Sequence, residues 1–251
     1  MGKPAMKDEN PIESSPSLRH WQRPTKPDGA AAHDAVIDCG WGRLIFAQTF
    51  RESRDLVDIL EAEKPGRRDI AIYVRNPQVV VSLAPQRLFL DPSITYRLWL
   101  DRPMVREEFL GIEIREVSTL QEAESLRDCY LRQQMVPPSP NFVIERIGSP
   151  LMQHLIAVET RSGQVVGGVI GVDHKEAFGD PENGSSLWAL TVDPRCTVPG
   201  VGEALVRLLA DRFREAGRSF MDLSVLHDNR QAIALYEKLG FERVPVFAVK
   251  N

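Results

Sequence analysis

Two glycines, an asparagine and a tyrosine in the last quarter of the chain have types and spacing suited to chemistry. Gly200 and Gly202 stand where an apolar helix, running to about 216, follows a strand over 187–192 and the turn Asp193-Pro194. Backbone amides collected at a helix start attract anions, and glycines let a phosphate come close to the chain. Amides at Gly200, Val201 and Gly202 can therefore cradle a phosphate or pyrophosphate. Asn229 opens a further helix that carries Tyr236. A tyrosine hydroxyl, with an ordinary pKa of about 10, is a proton donor at neutral pH. Each residue also has a plainer reading: a tight turn for the glycines, a helix cap for Asn229 and core packing for Tyr236.

The loop is not one of the common nucleotide loops. A P-loop requires Gly-Lys-Ser or Gly-Lys-Thr, which the segment 195–202 lacks. A dinucleotide loop requires a third glycine, and that position is Leu205.

These residues need a frame to hold them. The chain has 251 residues, 43% hydrophobic and 26% charged, which suits one large globular domain or two small ones. Its net charge of -4 gives no electrostatic case for nucleic acid or an anionic membrane. Three separated cysteines, Cys39, Cys129 and Cys196, offer no zinc-type pairing and favour a reducing, cytoplasmic setting. No apolar run reaches the roughly 18 residues of a membrane span.

Residues 1–34 hold five of the 18 prolines and lack apolar periodicity, so a disordered tail is expected there. From 35 to 108 the pattern predicts a small α+β subdomain: strands at 42–47 and 69–74, a helix over 53–63 capped by Ser53, and strands at 88–90 and 95–100. The apolar run 79–83 reads as a strand buried on both faces. From 109 to 251 the pattern restarts. It predicts a strand at 112–117 and a helix capped by Thr119 with Glu122 completing a capping box. A short helix or loop at 142–147 follows, then a hairpin of 154–160 with 164–173. The segment 175–185 reads as a polar loop, and a last strand is expected over 246–250. Gly167 and Gly168 inside a strand predict a bulge or a close backbone approach.

The segment Thr197-Val198-Pro199-Gly200-Val201-Gly202 and the later run from Asn229 through Ala232, Leu235-Tyr236, Lys238 and Gly240-Phe241 resemble the two signatures of the GCN5-related N-acetyltransferase (GNAT) superfamily. The resemblance covers a little over half the chain. It implies a mixed α/β (α+β) GNAT acyl-CoA acyltransferase fold, a mostly antiparallel central sheet with flanking helices, here preceded by the smaller subdomain. That subdomain is expected to be a degenerate GNAT-like copy or a substrate cap. The chain departs from the family at Thr197, where a Gln or Arg is usual, and at Pro199, which has no N–H to donate. Arg195 is a candidate to restore the lost charge.

Ser219 to Val225 and the front segments around Cys39-Gly40-Trp41-Gly42 and Tyr96 to Leu100 further resemble the acetyltransferase region of the N-acetylglutaminylglutamine synthetases, which join it to an ATP-grasp ligase. That resemblance implies glutamine or glutaminylglutamine as acceptor, and a ligase partner outside this chain.

The family resemblance implies acetyl-CoA (coenzyme A) as cofactor, held by Leu190, Val192, Thr197, Gly200, Val201, Gly202, Asn229 and Tyr236. No metal is implied. Pantetheine would lie between the strands 187–192 and 221–226, adding to an exposed strand edge. An amide near Leu190 would polarise the thioester carbonyl. Tyr236 would be the catalytic general acid, protonating the thiolate as a primary amine on a small molecule or short peptide attacks directly. Asp173, His174, His227 or a water chain remain open as the base, and a monomer or homodimer is expected. A non-catalytic acyl-CoA-binding regulatory module is the alternative reading.

Overall fold

The computed structural model describes residues 33–104 and 109–251. The tail expected over 1–34 therefore falls almost wholly outside the described residues, as does the last stretch of the 35–108 segment.

The first elements described form a short hairpin, β1 (Val36–Asp38) and β2 (Arg43–Phe46). Helix α1 (Ser53–Glu61) follows, then β3 (Ile70–Ile72), α2 (Pro77–Leu83), β4 (Phe89–Leu90) and β5 (Ser93–Trp99). The second half comprises β6 (Ile112–Glu116), α3 (Leu120–Arg132), α4 (Pro140–Ile144), β7 (Met152–Glu159) and β8 (Val165–Asp173). It continues through α5 (His174–Phe178), β9 (Gly184–Val192), α6 (Val201–Glu215), β10 (Phe220–Leu226), α7 (Arg230–Lys238), β11 (Glu242–Val244) and β12 (Val249–Lys250).

Two sheets form. The smaller runs β1-β2-β3-β12-β4 and the larger β11-β5-β10-β9-β8-β7-β6. The two halves share one order of elements: an antiparallel hairpin, a helix, a strand parallel to the hairpin's second strand, a helix, then two strands. In each half the final strand leaves for the other sheet. β5 lies between β10 and β11, and β12 lies between β3 and β4. Neither sheet is complete without a strand from the other half.

A buried polar cluster fastens the joint. Arg97 on β5 donates to both carboxylate oxygens of Asp222 on β10, at 2.7 and 2.8 Å, and Tyr73 beyond β3 donates to the same carboxylate at 2.7 Å. The Arg97 guanidinium stacks 3.5 Å over the Phe220 ring. Arg97 and Asp222 are both fully buried, so each charge relies on the other.

Three expectations change. The apolar run 79–83 belongs to helix α2, not a strand: Asn76-Pro77 starts a turn, and Val79 stays 43% exposed while Val80 is buried. Proline fits the first helical position because its missing N–H has no helical partner to lose. The polar segment after Asp173 opens with α5, whose first turn is capped by the Asp173 carboxylate accepting from the Glu176 amide. Glu52, not Ser53, occupies the cap position of α1, without a side-chain hydrogen bond. Elsewhere the capping box at Thr119 and Glu122 forms in full. Gly240 takes a left-handed φ of +88° just past α7.

Candidate active site

The slot begins where two parallel strands stop pairing. β9 and β10 are hydrogen-bonded from Gly184 with Phe220 up to Leu187 with Leu223. Beyond that point β9 continues to Val192 and β10 to Leu226 with no register between them. A bulge drives the separation. Between β8 and β9 the pairing passes from Ile170–Trp188 to Gly168–Thr191, which gives β9 one extra residue. Ala189 within it holds a left-handed φ of +49°, an unusual conformation for a residue with a side chain. Gly168 is required opposite: a Cβ there would lie 2.4 Å from Leu126 and 2.9 Å from the Leu155 carbonyl. Leu190 and Val192 are half-buried and pack toward α6, in the same cluster as Val201, Leu205, Ile233, Leu235 and Tyr236.

The loop after β9 is built on Asp193. Its carboxylate accepts from the Arg195 amide at 2.9 Å, from the Arg195 guanidinium at 2.9 and 3.0 Å, and from Arg132 at 3.0 Å. The Arg195 hydrogen bond outweighs the opposing effect of burial and holds the carboxyl at about 2. Arg195 is thus already committed to Asp193, and it is not a free replacement for the missing charge at Thr197. Thr197 itself is exposed at the loop tip.

Gly200 closes the loop as the cap residue of α6, with φ +79° and ψ 2°. No side chain caps this helix, so the amides of Val201, Gly202 and Glu203 point out of the first turn without an intrahelical partner. Phe109 packs over Gly200, 2.8 Å from where a Cβ would sit.

α7 lies against this turn. Leu235 is 3.6 Å from the Cβ position of Gly202, and Lys238 donates to Glu203 at 2.7 Å. Burial opposes ionisation of Glu203, but the hydrogen bonds from Lys238 and Arg207 prevail and lower its pKa. Asn229 caps α7, its Oδ1 accepting from the Ala232 amide at 3.2 Å. Tyr236 is buried on the inner face of α7, 5.6 Å from the Phe241 ring. Burial pushes its hydroxyl up to about 12, so it stays protonated across the neutral range. Of the residues named from sequence, Leu190, Val192, Val201 and Tyr236 share one apolar cluster, Gly202 borders it beside Val192 and Leu235, and Gly200 and Asn229 start α6 and α7.

The candidate bases separate. Asp173 and His174 lie beside Ser185 and Ser186 at the opposite end of β9, and both are structural. Asp173 caps α5 and pairs with Arg218, and His174 contacts Ser186 at 2.8 Å. Seven residues of strand at about 3.3 Å each separate that end from Val192. His227 alone of the three lies at the slot end, exposed, with its Nδ1 3.1 Å from the Pro92 carbonyl. The bulge or close backbone approach expected at Gly167 and Gly168 forms: the register shifts at Gly168, where a Cβ would clash, although the extra residue lies on β9 at Ala189. The sequence reading missed Phe109 over Gly200 and the Glu203–Lys238 pair. Among the described residues no group of three His, Cys, Asp or Glu side chains could hold a metal ion, and no helix is long and apolar enough to cross a membrane.

Known proteins agree with this architecture. Residues 121–241 match the family model described as "Acetyltransferase (GNAT) family". The [ribosomal protein bS18]-alanine N-acetyltransferase of Escherichia coli K12 is 37% identical over 62 residues, 25% of this chain and 42% of that protein. The match thus spans less than half of that relative. The structure of a Novosphingobium aromaticivorans protein named "Putative Acetyltransferase from the GNAT family" superposes with a TM-score of 0.56, at 15% identity over 88% of each chain. A tandem GNAT protein from the clavulanic acid biosynthesis pathway superposes with a TM-score of 0.51, at 16% identity, over 84% of this chain and 75% of that one. GNAT proteins are acyltransferases whose usual co-substrate is acetyl-CoA. Residues 121–241 thus carry the GNAT family match, and the chain shares the GNAT fold of these structures.

Proposed function

We propose that the chain is an N-acetyltransferase that moves an acetyl group from acetyl-CoA to a primary α-amine. The observation that carries the reading is the loss of pairing beyond Leu187–Leu223, directly beside an uncapped helix start at Gly200. The first offers strand amides to pantetheine, and the second offers amides and a positive dipole end to the pyrophosphate. In this reading Leu190 and Val192 line the pantetheine arm and the Leu190 amide polarises the thioester carbonyl. Gly200, Val201 and Gly202 hold phosphate, Thr197 lies at the loop tip, and Asn229 borders the slot. Tyr236 donates its proton to the departing thiolate. The new amide C–N bond forms as the thioester C–S bond breaks, and the amine's proton leaves through solvent.

For the acceptor, glutamine or glutaminylglutamine is the candidate, on the resemblance in the 219–225 and front-half segments. The E. coli relative's printed acceptor, an alanine of a ribosomal protein, favours the N-acetyltransferase class of reaction. The matching order of elements in the two halves supports reading residues 35–108 as a degenerate GNAT-like copy. Pro199 and the committed Arg195 favour the second reading, a CoA-binding module without turnover.

The test is an acceptor screen by thiol release from acetyl-CoA, with glutamine, glutaminylglutamine and alanyl peptides. Release with an α-amine acceptor supports the enzyme. CoA binding without release from any amine supports the module, and absence of CoA binding sinks both.

A further inference from the structure

The bulge beside the donor slot has a buried clamp behind it. Along β9, Leu187, Leu190 and Val192 pack toward α6, whereas the adjacent Trp188 and Ala189 both pack on the opposite face, with Ile170, Val172 and the front half's Trp41. Neighbours in a regular strand alternate, so two successive residues on one face mark the extra residue. A left-handed Ala189 is strained and persists only where its surroundings hold it. A slip of β9 past β8 by one residue would carry its slot-lining residues to the other face.

Trp188 is where β9 is gripped. It is the last residue in register with β8 before the bulge, opposite Ile170, and it follows the last β9–β10 pair, Leu187–Leu223. Its indole Nε1 donates to Ser186 Oγ at 2.7 Å, two residues back on the same face. Ser186 Oγ meets His174 Nε2 at 2.8 Å, and His174 Nδ1 faces Asp180 Oδ2 at 3.7 Å. Asp180 accepts from the amides of Gly184 at 2.9 Å and Glu182 at 3.0 Å. Rings from both halves enclose His174: Phe46 and Tyr73 at centroid distances of 4.8 and 6.0 Å, Phe178 and Phe220 at 5.9 and 6.4 Å. The Trp188 ring itself lies 5.9 Å from Trp41.

Asp180, His174 and Ser186 have the residue types of a hydrolase triad, but the site is closed to substrate. His174 and Ser186 are each 1% exposed, and the Ser186 oxygen already accepts from Trp188. A satisfied buried polar chain of this kind fixes one geometry instead.

We propose that Ser186 and His174 are positioning residues for acetyl transfer, an inference that rests on acetyl-CoA being the donor. Through Trp188 they hold the Ala189 bulge and so keep β9 apart from β10 where the pantetheine arm lies. The front half takes part, because Phe46 and Tyr73 enclose His174 and Trp41 backs Trp188.

The experiment measures binding of CoA and of ADP to the full chain by calorimetry, for the parent, Ser186→Ala, Trp188→Phe and the double variant. ADP carries adenosine and a pyrophosphate without the pantetheine arm. Each single variant should weaken CoA roughly three- to ten-fold, the worth of one buried hydrogen bond, and change ADP by less than about two-fold. The double variant should weaken CoA no further than the worse single one, because both changes remove the same bond. Trp188→Phe keeps a ring in the cluster and decides the matter if Ser186→Ala, which leaves two buried nitrogens unpartnered, does not fold. A Ser186 that served stability alone would lower the Tm and leave the ratio of the two Kd values at its parent level. An unchanged ratio, or additive losses in the double variant, would overturn the proposal and leave acetyl-CoA standing as donor. A parent chain that does not bind CoA would overturn both.

Discussion

Lys238 on α7 donates to Glu203 on α6 across 2.7 Å, tying the helix that carries Tyr236 to the helix that starts at Gly200. Glu203 sits in the first turn of α6, where an unneutralised carboxylate would repel a phosphate at the same amides. Arg207 supplies one neutralising partner at 2.7 Å and Lys238 the other. Lys238→Met should therefore raise the Kd for CoA roughly two- to five-fold, the size of a partly screened surface charge effect. Unfolding stability should fall by less than about 1 kcal/mol. Calorimetry at two salt concentrations checks it: the loss should shrink in high salt.

Tyr236→Phe removes the proposed acid and keeps the ring. Its kcat for thiol release should fall about 10²-fold or more, the usual worth of a positioned general acid, with KM for acetyl-CoA nearly unchanged. The pKa near 12 sets a further expectation. The folded state keeps this proton above the ordinary value of about 10, so the group's contribution to stability is present below pH 10 and is lost toward pH 12. No falling limb from this group should appear in the rate below about pH 11. A fall near pH 9 that Tyr236→Phe abolishes would contradict the assignment.

Gly200 and Gly202 separate folding from binding. At Gly200 the left-handed φ and the Phe109 ring both oppose a side chain, so Gly200→Ala should cost about 1–2 kcal/mol of stability as well as weakening CoA binding. Gly202 has ordinary φ, and an added Cβ there meets nothing closer than 3.6 Å. Gly202→Glu should fold with a Tm close to the parent and lose CoA binding, because it sets a carboxylate against the phosphate amides. Paired thermal unfolding and CoA titration of both variants is the check.

Much of the site was legible because it is local. A glycine loop, a capped helix and an apolar stripe are each written in consecutive residues, and 200–202, 229 and 236 fell where their spacing implied. What stayed hidden is non-local. Nothing around Ser93–Trp99 says that it pairs with β10 rather than β4, because a strand's pattern fixes its faces and not its neighbours. Val79–Leu83 misled for a related reason: a short apolar run fits a buried strand and a helix alike. Gly168 signalled the irregularity between β8 and β9, but nothing marked Ala189 on β9 as its extra residue.

Acid should expose two distinct groups. His154 is buried with both ring nitrogens unpartnered, and burial lowers its pKa to about 4. The unfolded chain takes up this proton near pH 6.5, so stability falls as pH drops from about 6.5 to 4. Asp193, held at about 2, contributes stability above its ordinary value of about 3.9 that is lost as pH falls toward 2. Urea unfolding from pH 7 to 2.5 should show both windows. His154→Leu should flatten the first, and Asp193→Asn should shrink the second without abolishing it, because Glu122 is also held at about 2 and Glu203 is lowered as well.

The exchanged strands make the two halves one folding unit, and Asp222 is where that can be tested. Asp222→Ala leaves Arg97 fully buried without its carboxylate and deprives Tyr73 of its acceptor. Breaking a buried ion pair from one side costs about 3–5 kcal/mol, a large share of a domain's stability. Because β5 and β12 cross between the sheets, the loss should appear as a lower midpoint of a single cooperative transition. Tryptophan fluorescence reports tertiary packing in both halves, with Trp41 against Trp188 at 5.9 Å and Trp99 at the end of β5, and far-UV dichroism reports the helices. Coincident midpoints for both probes are expected, and separated midpoints would show that the halves unfold independently despite the exchange.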